Sequence, residues 1–252
     1  MLVQRVLGIF LVIAILPPSL AALPADDLQS ASEASKIAFV LVTEPGAAGL
    51  EQAQHVIKDA MSRVDQSVMI ELNRADIANA SLVAKYRLSG APVPLILVFA
   101  SNGAMAGGNL AAKLTSEQLV NMVPSPKKAE VLQALQAGQA VFLTAFREGM
   151  STKSEVFKGC AAACGQMLGK SRSVDVNMDD HAEASFLQQL KVNMQAAEPV
   201  TVIINGQGQV TGSFNGPVDV GKLVQAANKK AGGCCPPSSG KTCGPTSKKK
   251  GK

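Results

Sequence analysis

Val93-Pro94-Leu95-Ile96-Leu97-Val98-Phe99-Ala100-Ser101-Asn102-Gly103 has a counterpart 105 residues later, Glu198-Pro199-Val200-Thr201-Val202-Ile203-Ile204-Asn205-Gly206-Gln207-Gly208. In both, a proline opens an aliphatic and β-branched run of strand length, and a glycine follows nine residues after the proline. A short continuous apolar run predicts a strand buried on both faces. Proline is tolerated at the first residue of such a strand. Asn102-Gly103 and Gly206-Gln207-Gly208 are turn signals that send the chain back as a hairpin.

The flanking sequence repeats the same order. Upstream of Pro94, Lys36 to Thr43 is an apolar strand and Glu44-Pro45-Gly46 a turn. Residues 49–64 carry helical spacing through Leu50, Ala53, Ile57 and Met61. Ser67 to Leu72 reads as a strand and Ala78 to Leu88 as a helix. Downstream, Thr115-Ser-Glu-Gln118 is a capping box opening a helix. Ser125-Pro126 opens a helix with proline at its first position. In the second half Ala140 to Phe146 reads as a strand, 153–169 as a helix, Ser173 to Asn177 as a strand and Asp180 to Val192 as a helix. A hairpin and a helix over 217–230 close the chain. Each half therefore reads β-α-β-α-β-β-α. The predicted class is α/β, with two tandem domains, each a mixed central sheet with helices on both faces.

The domains are expected at 36–124 and 125–230, with 22–35, rich in Ala, Ser and Asp, as a linker. Residues 1–21 hold Arg5, an apolar run from Val6 to Leu16, Pro17-Pro18 and then Ser19-Leu20-Ala21. This is the pattern of a secretory signal peptide, and the run is short for a spanning helix. No later segment reads as transmembrane, so the mature chain is expected in the periplasm or outside the cell. Residues 231–252 read as a flexible tail rich in Cys and Lys.

Of 24 Lys and Arg residues, seven Lys lie in 229–252, which has no acidic residue. With these and Arg5 set aside, 16 basic residues face 19 acidic ones. A mildly acidic body, 4% aromatic and without Trp, excludes a nucleic-acid-binding surface. The basic tail is a candidate contact for anionic surfaces.

These residues resemble the thioredoxin family. Asn73-Arg-Ala-Asp76 and Val83-Ala-Lys-Tyr-Arg-Leu-Ser-Gly90 are similar to the family's second helix and its approach. Pro94 to Phe99 is similar to the strand that begins with its cis-proline, and Leu114 to Leu119 to its last helix. Val174 to Asp180, Glu198-Pro199 and the Gly206/Gly208 turn fit the same frame in the second half. The resemblance implies cis peptide bonds before Pro94 and Pro199. It also implies a Cys-x-x-Cys motif at the start of the helix after the first strand, where the helix N-terminus stabilises a thiolate. The corresponding loops read Glu44-Pro-Gly-Ala-Ala48 and Arg147-Glu-Gly-Met-Ser151, without cysteine.

The five cysteines are Cys160, Cys164, Cys234, Cys235 and Cys243. Cys160 and Cys164 are four apart on a predicted helix, with Cβ atoms about 5–6 Å apart. A disulfide wants them nearer 3.8 Å. The pair suits two soft-metal ligands, two separate thiol partners, or small buried residues on an Ala-rich face. The tail trio has no core to enter, and five is odd, so one thiol stays free or pairs between chains. His55 and His181 read as structural or solvated, and Asp179, Asp180 and Glu183 as charges at a helix start.

The leading expectation is an exported scaffold or binding module without the standard dithiol, with a protein partner and no cofactor. Its thiol–disulfide exchange would run through Cys234, Cys235 and Cys243, with Cys160 and Cys164 as further candidates. Two alternatives stand beside it. One is Zn or Cu binding through Cys160, Cys164, Cys234 and Cys235. The other is a purely structural interaction module.

Overall fold

A computed structural model describes residues 23–230. The first half runs α1 (Pro24–Glu33), β1 (Ile37–Thr43), α2 (Leu50–Met61), β2 (Ser67–Asn73), α3 (Ala80–Lys85), β3 (Leu95–Phe99), β4 (Met105–Leu110) and α4 (Ser116–Met122). The second runs α5 (Pro126–Gln136), β5 (Ala140–Phe146), α6 (Lys153–Gln166), β6 (Ser171–Asn177), α7 (Ala184–Gln189), β7 (Val200–Ile204), β8 (Val210–Asn215) and α8 (Val220–Asn228). Their sheets have the orders β2-β1-β3-β4 and β6-β5-β7-β8. In each, the first pair is parallel and the next two are antiparallel. The structure therefore has two tandem α/β domains, each a mixed four-stranded sheet with helices on both faces, as expected.

Burial follows from the central strands. Along β1, Phe39 and Leu41 face α2 and α4, packing with Ala53, Ile57 and Leu119. Ala38, Val40 and Val42 face the other way, with Ala31, Leu82 and Leu88. Successive side chains alternate across the sheet, so one apolar strand feeds two cores. In the second domain Val141, Leu143 and Ala145 pack with α5 and α7, while Ala140 and Phe142 pack with α6 and α8.

The 22–35 linker is corrected. It contains α1, which has Pro24 at its first position, Asp26 and Asp27 in its first turn, and Ala31 buried. It lies before β1 as α5, with Pro126, lies before β5. Its low apolar content, with a single buried residue, explains why composition reads as linker. The predicted helix over 180–192 is also shorter than expected. It resolves into a 3-10 turn at His181–Glu183 followed by α7. The capping box at Thr115 and Gln118 forms, with both reciprocal bonds present.

The β3–β4 hairpin packs on α5. Ala100, Ala104 and Ala129 are buried together against Leu132. Asn102 Nδ2 donates to the Ala129 carbonyl at 2.9 Å. The Gln136 side chain accepts from Met105 N at 3.1 Å and donates to Met105 O at 2.8 Å. One amide thus satisfies both edge groups of that residue, as a neighbouring strand would. No described helix is long and apolar enough to cross a membrane.

Candidate functional site

The turns after β1 and β5 are where the fold would present a dithiol. Each is held by a guanidinium. Arg74 Nε donates to Glu44 Oε2 at 2.8 Å, and its Nη2 lies 2.7 Å from the same oxygen. Its Nη1 donates to the carbonyls of Leu88 and Ala91. In the second domain the charges are exchanged: Arg147, in the turn itself, donates from Nε to Asp179 Oδ1 at 2.9 Å. Its Nη2 donates to Met194 O at 2.6 Å. Both arginines tie the βα turn to the segment that leads toward the proline.

Lys153, the first residue of α6, occupies the helix start where a thiolate would be stabilised. Its ammonium sits 4.5 Å from the Phe146 ring centre, 5.7 Å from that of Phe157, and 2.7 Å from Glu148 Oε2. A cation is unfavourable at a helix N-terminus. The ring faces and Glu148 compensate for it.

The Val93–Pro94 bond is cis. The expectation for Glu198–Pro199 is corrected: among the described residues Val93–Pro94 is the cis bond, and Glu198–Pro199 is trans. Trans is the default for X–Pro unless the surroundings select cis. The strand register does not require cis here. Ala111 N donates to Pro94 O and Gly216 N to Pro199 O, both at 2.9 Å. Gly216, at φ +68°, leaves room for the Glu198 carboxylate that a Cβ would displace.

Cys160 and Cys164 both lie on α6 and are free thiols. Cys160 is 1% exposed. Its sulfur lies 3.5 Å from Thr144 Oγ1 and 3.9 Å from Thr201 Oγ1. Both threonines are buried and sit opposite each other across β5 and β7. The equivalent place in the first domain is apolar: Leu41 and Ile96 face each other across β1 and β3, with Ile57 from α2 in the same core. Burial pushes the Cys160 thiol up, opposed by hydrogen bonds to Thr144 and Thr201 and reinforced by Cys164 and Asp175. A buried thiol held protonated is a poor nucleophile.

Cys164, one turn on, is half-buried at the rim of the same core. Its thiol is raised by burial, lowered by the neighbouring Ser171 hydroxyl and raised by Asp175. Asp175 is exposed on β6 but partly desolvated by its neighbours. That desolvation pushes its carboxyl up, against Lys127, Ser173 and Lys153 and with Glu130. Among the described residues no group of three or more His, Cys, Asp and Glu side chains is arranged to hold a metal. Cys234, Cys235 and Cys243 lie outside the described residues. His55 and His181 are exposed.

Glu183 has a role that sequence alone did not indicate. It is 1% exposed. Its carboxylate accepts from Ser125 Oγ at 2.6 Å and from Lys127 N at 2.9 Å. It therefore caps α5, not the helix it precedes. The Thr144–Cys160–Thr201 cluster was legible in principle, by laying the second half on the first and noting three polar residues over three apolar ones.

No protein-family profile matches the chain, and no curated protein matches it. Solved structures that match the chain include the first two thioredoxin domains of Saccharomyces cerevisiae Eps1p. That match has 12% identity and a TM-score of 0.32, covering 85% of this chain and 100% of that one. Human ERp44 matches at 10% identity and TM-score 0.37, over 84% of this chain and 57% of ERp44. The NTD_N/C domain of alkylhydroperoxide reductase AhpF from Enterococcus faecalis matches at 12% identity and TM-score 0.24, over 81% and 99%. At such identities no activity, substrate or partner passes from these proteins to this chain.

Proposed function

We propose that the chain is an exported binding module of two thioredoxin-like domains whose body performs no dithiol exchange. Its thiol chemistry belongs to the tail and Cys164. One observation carries this reading: both βα turns lack cysteine and hold arginine-centred ion pairs where the fold would place its dithiol.

Cys160 is excluded as a body partner for the tail thiols by its burial. Cys164 is at the rim of a core that also contains Ala226 and Ala227. Cys234 follows Ala227 by seven residues, a stretch that extends to about 23 Å. Oxidation by a disulfide such as oxidised glutathione would join the Cys164 and tail sulfurs. The two thiols lose their protons, and the oxidant is reduced to two glutathione thiols. Nothing among the described residues favours the soft-metal reading.

The test is disulfide mapping of the intact protein after exposure to oxidised glutathione. A peptide linking Cys164 to Cys234 or Cys235, with Cys160 unmodified, supports the proposal. Cys160 in a disulfide, or Cys164 left reduced, contradicts it.

A further inference from the structure

The two domains carry the same hairpin before their last helix, but its outer strands meet different surroundings. β4 is met by Gln136 at Met105, the residue opposite Phe99. β8 holds the equivalent place in its sheet, with Val210 opposite Ile204. Val210 is 52% exposed, and β8 is the sheet's outer strand. Exposed edges are commonly guarded by charge or proline. Val210-Thr-Gly-Ser-Phe-Asn215 has neither.

Behind this edge lies a groove of about 730 Å³ between β8 and α8. Phe214, Ala226, Lys222 and Lys229 line it. In the first domain Met122 from α4 approaches Gly107 of β4, within 3.2 Å of where a Cβ would stand. In the second, the Phe214 ring comes within 2.9 Å of the corresponding point at Gly212 and Ala226 within 3.3 Å. An aromatic face thus forms the floor of the groove, with the short side chain of Ala226 beside it. The lining contains two lysines and no acidic residue.

We propose that the edge of β8 and the groove behind it bind an extended acidic segment of a partner protein by strand addition. This rests on the reading of the chain as a binding module and names the partner's chemistry. Main-chain bonds to β8 supply affinity, and alternate side chains enter the groove. An apolar side chain sits on Phe214, and carboxylates meet Lys222 and Lys229. The chain's own tail is a poor occupant, since residues 229–252 carry seven Lys and no acid.

The free backbone groups follow from the ladder. Gly216 N donates to Pro199 O, and donors alternate along a strand, so Ser213 N faces outward. Ser213→Pro removes that donor at an edge, where proline is tolerated. Ala226→Met adds bulk to the lining of the groove beside Phe214. Lys222→Glu with Lys229→Glu reverses its charge.

The test is fluorescence anisotropy on the full chain, with a fluorescein-labelled peptide Ser-Leu-Thr-Glu-Thr-Leu-Thr-Glu and a version carrying Lys for Glu. The acidic peptide is expected to bind and the basic one not. The double charge reversal should weaken binding by about tenfold or more, and Ser213→Pro and Ala226→Met should abolish it. Absence of binding overturns the proposal, as does binding indifferent to all three variants. A dimer dispersed by Ser213→Pro, without peptide binding, would also overturn it and assign the edge to a second copy. The Cys164–tail disulfide map is expected to be unchanged in these variants, so a failure here is distinguishable from a failure of the binding-module reading.

Discussion

Cys160 occupies in the second domain the place that Ile57 occupies in the first. Each rises from the helix after the central strand toward a facing pair on two neighbouring strands. That pair is Thr144 and Thr201 in one domain and Leu41 and Ile96 in the other. A thiol with two hydroxyl neighbours replaces three aliphatic side chains. Cys160 thus packs as a small core residue, and its sulfur is satisfied without solvent.

Cys160→Ala is expected to destabilise the protein by about 1–2 kcal/mol at neutral pH, through the cavity left beside Thr144 and Thr201. The same variant should change the alkaline response. Burial raises the folded thiol's pKa, so above about pH 8.5 the unfolded thiol releases its proton first. The unfolded state then binds fewer protons. Stability that is fully present below that pH is lost as pH climbs toward the folded thiol's value, by up to about 1.4 kcal/mol per unit. Urea melts at pH 7 and pH 9.5 check this. The wild type should lose more stability between the two than Cys160→Ala does.

Glu183 anchors α5 from 58 residues away in sequence. Removing its carboxylate leaves the half-buried Ser125 hydroxyl and Lys127 amide without this partner. Glu183→Ala should cost about 2–3 kcal/mol and Glu183→Gln less, since one carbonyl acceptor remains. Urea denaturation of both variants reads the difference.

The arginine ties make a local prediction. Arg74 is the more buried, with its side chain 15% exposed against 31% for Arg147. Arg74→Ala should speed amide exchange in residues 88–91 more than Arg147→Ala does around Met194. Global stability should fall by about 1–2 kcal/mol.

Ala129 and Gln136 hold the two domains together through the hairpin of the first. Ala129→Glu places a charge in that contact and should split one thermal transition into two. Gln136→Ala should weaken the coupling without abolishing it. Calorimetry distinguishes the outcomes.

The sheet architecture was readable because its signals are local. Apolar runs such as Phe39 to Val42, the Pro94 and Pro199 strand starts, and the Thr115 capping box each act within a few residues. What escaped depends on tertiary partners. α1 buries one residue, Ala31, so its face is too weak to mark a helix by composition. Glu183 lies in a string of acids, and nothing near it indicates that Ser125 is its partner. The bond before Pro199 is trans although its neighbourhood resembles that of Pro94, because isomer choice depends on packing around the residue. At the candidate site the absence of cysteine from both turns was evident. The arginine ties at those turns were not, since Arg74 and Arg147 find their carboxylates 30 and 32 residues away.

The most direct test of the account is the insulin-reduction rate of the full chain beside a variant with Cys234, Cys235 and Cys243 all changed to Ser. The account predicts that the variant, which retains Cys160 and Cys164, proceeds at the uncatalysed rate. A variant that reduces insulin clearly faster than buffer would place dithiol chemistry in the body and contradict it.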